Sequence, residues 1–138
     1  FELGKTDVLR PGEDITIFAV GSTVHEAVAA GRMLDAQGVS AEVVNLSSIR
    51  PLDRQGVIKS LRKTGLALTV EEHSLHGGVG SLVSEITAEE GLGCRVKRLG
   101  FAEGQFPVPG PRSEMRAHVG IDAPGIVDAA RALLQQSK

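Results

Sequence analysis

The stretch from Leu66 to Glu90 most constrains the fold, because a short apolar run is followed there by a polar turn, a glycine cluster and an amphipathic segment. Leu66–Val70 is apolar and β-branched, and its length suits a buried strand. Beyond the glycines, a helical stripe carries the apolar residues Val79, Leu82, Val83 and Ile86. A strand, a Gly-Gly-x-Gly turn and a helix in this order are typical of α/β nucleotide-binding units.

The same alternation of apolar runs and helical stripes continues along the chain. Further strands are predicted at residues 1–10 (a weak edge strand), 14–20, 41–46 and 94–100. Helices are expected to begin after residues that can cap a first turn, namely Ser22 or Thr23, Asp53, Ser113 and Asp122. Strands alternating with helices predict one α/β domain over residues 1–138, with a parallel sheet covered by helices on both faces.

Composition excludes several classes of protein. A net charge of −2 without any Trp or Tyr argues against a nucleic-acid surface. Cys94 is the only cysteine, so an internal disulfide is excluded, and a reducing, cytoplasmic location is expected. No apolar run approaches the length of a membrane span. The chain begins in mid-pattern with Phe1, from which we expect a piece of a longer protein.

The turns that follow two of the predicted strands are candidates for an anion site. Ser22 and Thr23 follow one strand, and Gly77, Gly78 and Gly80 follow another. In parallel sheets, ligands bind beyond the carboxyl ends of the strands, where helix N-termini offer unpaired N–H groups. The Gly-x-Gly-x-x-Gly spacing is absent. The alternative is that the glycines serve only a tight turn and close packing of the helix on the sheet.

Two histidines beside two glutamates raise the question of metal or acid–base chemistry. His73 and His76 do not have the spacing of a zinc-binding helix, and no second thiol accompanies Cys94, so we predict no metal site. Ser74 and Ser81 lack the Gly-x-Ser-x-Gly elbow of a hydrolase, and we predict no catalytic residue. His73 and His76 are instead expected at an interdomain contact, with hydrogen bonds to its own backbone as the alternative for His73.

The segment from residue 101 to 111 is rich in proline and glycine and carries exposed apolar candidates. One small domain is not expected to cover all the apolar surface of this segment, which comes from Phe101, Phe106 and Val108. We therefore predict that these side chains pack against other domains or a dimer mate.

Four groups of short segments occur in a fixed order along the chain. They are Gly4-Lys5, Val8–Arg10 and Gly12 with Asp14–Ile17 and Gly21, Val44–Leu46 with Ile49–Asp53, Glu71–His73 with Gly77–Gly80, and Gly100–Gly110 with Gly120–Ile121. This ordered set resembles the C-terminal domain of the transketolase family of thiamine diphosphate enzymes. The resemblance covers essentially the whole chain, although residues 106–109 (Phe-Pro-Val-Pro) depart from the family pattern. It extends to deoxyxylulose-phosphate synthase and to the β chain of 2-oxoacid dehydrogenases.

The resemblance implies a three-layer α/β/α fold with a five-stranded mixed sheet of order 1-3-2-4-5, in which strand 1 is antiparallel. It places the turns at Ser22 and at residues 73–80 on neighbouring strands. Thiamine diphosphate, magnesium and the catalytic groups of the family come from two other domains, which bind the pyrimidine and the diphosphate. These domains belong to the same chain or to a separate subunit, and the parent is expected to be a homodimer.

The resemblance therefore implies a dimer-supporting domain that is inert in isolation and binds no cofactor itself. The favoured parent is a transketolase or a split transketolase subunit, which transfers a two-carbon ketol unit between sugar phosphates. The alternatives are the C-terminal domain of 1-deoxy-D-xylulose-5-phosphate synthase or of a 2-oxoacid dehydrogenase β chain. An alternative of another class is a regulatory module that binds a nucleotide or anion at the glycine-rich edge, or that docks on an acyltransferase core.

Overall fold

The computed structural model describes residues 5–47, 52–74, 78–101, 117 and 120–136, with the backbone only at residues 73, 74 and 101. Its five strands form one sheet of order β1-β3-β2-β4-β5. β1 pairs antiparallel with β3, and all other pairs are parallel. The predicted mixed sheet and its order are thus confirmed. The strands are β1 Asp7–Arg10, β2 Ile15–Ala19, β3 Ala41–Asn45, β4 Leu66–Ser74 and β5 Arg95–Phe101.

Helices cover both faces of the sheet and complete the predicted three layers. One face carries α1 and α4 over an apolar cluster that includes Ile17, Leu34 and Ile126, and the other carries α2 and α3 over a cluster around Phe18 and Leu61. No helix in the described part of the chain has both the length and the apolar composition needed to cross a bilayer. The helices are α1 Val24–Ala36, α2 Arg54–Thr64, α3 Val79–Glu89 and α4 Ala123–Gln136.

Side chains cap two of the helices as the sequence predicts. Asp53 accepts a hydrogen bond from the Gly56 N–H at 3.0 Å, and Asp122 accepts one from the Gly125 N–H at 3.0 Å. α2 ends at Gly65, whose φ of 74° is left-handed and therefore favours glycine. The predicted cap from Ser22 or Thr23 is wrong, because no side-chain oxygen caps the first N–H groups of α1.

Two strands differ from the sequence prediction by more than one residue. Of the predicted edge strand over residues 1–10, the structure describes residues 5–10, and β1 occupies Asp7–Arg10. β4 runs four residues beyond the predicted end at Val70, through Glu71 to Ser74. The acids after Val70 suggest an exposed turn, but Glu71 is fully buried and satisfied by backbone N–H groups, which allows the strand to continue. The helix predicted after Ser113 falls largely outside the described residues.

Asp53 also fastens the edge strand to α2. Its Oδ2 accepts hydrogen bonds from the backbone N–H of Thr6 at 2.9 Å and from the Thr6 hydroxyl at 3.3 Å. The Thr6 N–H, joined by the Gly56 N–H and the positive charge of Lys5, holds the pKa of Asp53 below its ordinary value of 3.8, against an opposing effect of burial.

Asp53→Asn is expected to lower the free energy of unfolding by about 1 kcal/mol at pH 7, because an amide NH2 then faces the Thr6 N–H. A lowered folded pKa means that the charged form stabilises fully above the ordinary pKa and that this stabilisation is lost as the pH falls through the folded value. Urea denaturation at pH 7, 5 and 3 should therefore show the difference from the parent shrinking below pH 4. Asp128→Asn, at an exposed site on α4, is the matched control. A difference that persists undiminished at pH 3 would contradict this account.

Candidate functional site at the carboxyl edge of the sheet

The turn after β2 is tied to the neighbouring strand β4 by the hydroxyl of Thr23. The Thr23 Oγ1 lies 2.9 Å from the Val20 carbonyl and 3.0 Å from the Val70 carbonyl, so its single proton is shared between these two acceptors. Thr23 is 0% exposed. The turn at Ser22 and the start of the glycine-rich segment thus lie on neighbouring strands, as the resemblance implies. The Thr23 hydroxyl therefore joins β2 to β4, a role that the sequence pattern of a helix cap does not indicate.

The N-terminus of α3 is occupied by a carboxylate from the chain itself. Glu71, near the end of β4, is 0% exposed. Its Oε1 accepts a hydrogen bond from the Val79 N–H at 3.1 Å, and its Oε2 accepts one from the Gly80 N–H at 2.9 Å. Unpaired N–H groups and the helix dipole favour a negative charge at this position. Glu71 therefore stands where a bound phosphate would lie in a nucleotide-binding protein.

Two of the glycines make room for close approaches between α3 and the sheet. A Cβ atom on Gly78 would lie 2.9 Å from Glu71 Oε2 and closer still to Oε1. A Cβ atom on Gly80 would lie 2.7 Å from both Thr69 Oγ1 and Arg98 Cγ. Neither glycine has a positive φ. Glycine is therefore required at both positions because α3 lies close to Glu71 and to the strands. This is the second of the two roles considered from the sequence, a tight turn and close packing of the helix on the sheet.

The predicted anion ligands and interface residues are only partly visible. Ser22 is half-buried, Thr23 is buried, and Gly78 and Gly80 flank the Glu71 carboxylate. Binding of an external anion there stays a prediction, and it would compete with Glu71 for the Val79 and Gly80 N–H groups. The remaining residues lie outside the described part, in full or for their side chains, and their roles stay predictions: Gly77, His73, His76, Phe101, Phe106 and Val108.

The described residues provide no metal-binding cluster and no activated thiol. No group of three His, Cys, Asp or Glu side chains that could hold a metal ion occurs among them. Burial raises the pKa of the Cys94 thiol, whose Sγ donates a hydrogen bond to the Leu61 carbonyl at 3.4 Å. Cys94 is therefore a protonated, structural thiol, because a nucleophilic cysteine requires a lowered pKa.

Comparison with known proteins shows that this chain is similar to parts of longer proteins. The family model described as "Transketolase, C-terminal domain" matches residues 4–126. An apulose-4-phosphate transketolase subunit from Actinobacillus succinogenes is 45% identical over 133 residues, which are 96% of this chain and 43% of the relative. 1-Deoxy-D-xylulose-5-phosphate synthase 1 from Geobacter sulfurreducens is 44% identical over 96% of this chain and 21% of the relative.

A solved structure of "Split gene transketolase, inactive beta4 tetramer" superposes with a TM-score of 0.90 at 36% identity, over 98% of this chain and 44% of that chain. The chain thus spans less than half the length of these relatives.

Proposed function

Because this chain belongs to the family of transketolase C-terminal domains, we propose that it is the C-terminal supporting domain of a transketolase-type enzyme. The parent enzyme transfers a two-carbon ketol unit between sugar phosphates in the cytoplasm. The observation that carries this proposal is the match, over nearly the whole chain, to an apulose-4-phosphate transketolase subunit and to a split-gene transketolase, of which the chain covers 43% and 44%.

The isolated chain is inert in this proposal, and its partners are the pyrimidine- and diphosphate-binding domains of the parent, which functions as a homodimer. One feature of the chain supports inertness. The helix N-terminus at the carboxyl edge is already filled by Glu71, which accepts hydrogen bonds from the N–H groups that a bound phosphate would require. The split-gene neighbour is itself described as inactive in its tetrameric form.

Thiamine diphosphate supplies the carbanion that attacks the ketose carbonyl in enzymes of this kind. Among the described residues, no group of three His, Cys, Asp or Glu side chains that could hold a metal ion occurs. In the proposal, the cofactor and its metal are held by the other domains, and this chain fixes the position of those domains.

A second candidate parent is 1-deoxy-D-xylulose-5-phosphate synthase, which the 44% identity to the Geobacter sulfurreducens protein favours almost equally. The 2-oxoacid dehydrogenase β chain stays a further alternative for the parent. A regulatory module that binds an anion at Gly78 and Gly80 is disfavoured, because the buried Glu71 carboxylate already accepts from the two N–H groups that such an anion requires.

Domain exchange tests the proposal and separates the two parents. The chain alone is expected to show no ketol transfer with thiamine diphosphate and magnesium. The chain is then exchanged for the C-terminal domain of the Actinobacillus succinogenes transketolase subunit and, separately, for that of the Geobacter sulfurreducens synthase. At least one of the two chimaeric enzymes should be active. Each recipient rejoined to its own C-terminal domain is the control. Turnover by the chain alone, or two soluble chimaeras that both lack activity, would overturn the proposal.

A further inference from the structure

Among the described residues, no helix covers the face of the edge strand β1 that adjoins α2, and this face forms the floor of a groove. Val8 on this face is 53% exposed. The groove has a volume of about 500 Å³, within the range of small-molecule sites. We call it the lysine groove. Its lining includes Lys5, Val8, Gln55, Lys59, Ser60 and Lys63.

The charges along the lysine groove leave two ammonium groups available. Lys63 pairs with the buried carboxylate of Glu42. Asp53 is engaged by N–H groups of Thr6 and Gly56. Lys5 lies near enough to lower the pKa of Asp53, but among the described residues neither Lys5 nor Lys59 forms an ion pair. Both lysines are exposed. Three lysines against the carboxylates of Glu42 and Asp53 leave the lining with a net charge of +1.

The remaining lining suits a ligand that is partly carbon and partly hydroxyl. Val8 and Pro11 supply apolar atoms. Gln55 supplies an amide, and Ser60, which is only 6% exposed, supplies a hydroxyl. An apolar floor with a few convergent polar groups is the usual composition of a small-molecule pocket.

We propose that the lysine groove binds a small phosphorylated polyol, with the phosphate between Lys5 and Lys59 and the hydroxyl groups toward Gln55 and Ser60. Lysine binds a phosphate as a compact point charge without requiring a planar partner. The groove lies along α2 and the antiparallel edge of the sheet, so this binding is independent of the carboxyl edge and of the proposed transketolase role. Such binding would give the chain a means of sensing a phosphorylated metabolite.

Titration of the chain with glycerol 3-phosphate, monitored through backbone amide chemical shifts, tests the proposal. Shifts are expected at Thr6, Gly56, Lys59 and Ser60, with saturation at millimolar ligand. Inorganic phosphate should bind more weakly, and glycerol should cause no shift. Lys59→Gln is expected to weaken binding about threefold to fivefold, as for the loss of one exposed ion pair.

Arg62→Gln is the matched control, because it removes the same charge from the same helix at an exposed residue outside the groove lining. Both substitutions are on the surface, so the amide spectra should retain the parent's dispersion. Equal affinities for the Lys59→Gln and Arg62→Gln variants would overturn the proposal. The absence of shifts in the groove at about 20 mM ligand would also overturn the proposal. A site with a dissociation constant in the millimolar range would be largely occupied at that concentration.

Discussion

Glu71→Gln is expected to lower the free energy of unfolding by about 3 kcal/mol. The carboxylate accepts two charge-assisted hydrogen bonds, from the Val79 and Gly80 N–H groups, in a site that is 0% exposed. Glutamine retains one oxygen acceptor and places an NH2 donor against the other N–H, so a buried backbone donor is left unsatisfied. It also removes the negative charge that the N-terminus of α3 favours. Urea denaturation at pH 7 measures the loss.

The control for this prediction is Glu85→Gln on the same helix. Glu85 is exposed and forms no ion pair within the described residues, so its neutralisation should change stability by less than about 0.5 kcal/mol. A Glu71→Gln variant as stable as the Glu85→Gln variant would show that the capping hydrogen bonds contribute nothing. The effect should also appear as faster amide hydrogen exchange in the first turn of α3, where the N–H groups lose their acceptor.

The periodicity of the sequence was sufficient to predict most elements, but not their arrangement. Apolar runs such as Leu66–Val70 place the buried strands because both faces of a central strand must be apolar. Nothing in such a run indicates which strand is its neighbour. The order of the sheet and the antiparallel β1 came from the family resemblance, since β1 has only four residues and pairs with β3 across more than thirty intervening positions.

The sequence predicted the position of the site but not its occupant. The glycine cluster correctly marked the start of α3 beyond β4. Glu71 was missed because an acid that follows an apolar run suggests exposure, and its burial depends on N–H groups eight and nine residues later. Thr23 was misassigned for the same reason, because its partner at Val70 is a long-range contact. Local patterns cannot identify such hydrogen bonds, since the fold determines which groups meet.

The carboxyl edge of this domain combines the form of an anion site with an internal anion. Parallel strands, a glycine-rich turn and a helix N-terminus are all present. Because Glu71 satisfies the helix, the edge gains rigidity from a contact that a ligand would otherwise make. This arrangement is consistent with the proposed supporting role, since the stability of the domain then does not depend on ligand concentration.

Gly78→Ala is expected to destabilise the chain by about 2–4 kcal/mol, although alanine suits the backbone there. Gly78 has a φ of −88°, which any residue adopts, so the cost does not arise from backbone strain. It arises because the new methyl group would occupy the space of the Glu71 carboxylate and force it away from the Val79 and Gly80 N–H groups. The cost should therefore approach that of removing the carboxylate and overpacking a buried site.

Combining Gly78→Ala with Glu71→Ala separates this mechanism from a general defect of the turn. If the methyl group acts by displacing the carboxylate, it should cost less than about 1 kcal/mol once that carboxylate is absent, and the two losses should be strongly non-additive. Gly93→Ala is a contrasting control, because its φ of +68° imposes strain while no atom lies within 4 Å of the new Cβ. Its cost should be the same with or without Glu71. Additive losses for Gly78→Ala and Glu71→Ala would mean that the glycine is required for a reason other than the carboxylate that it faces.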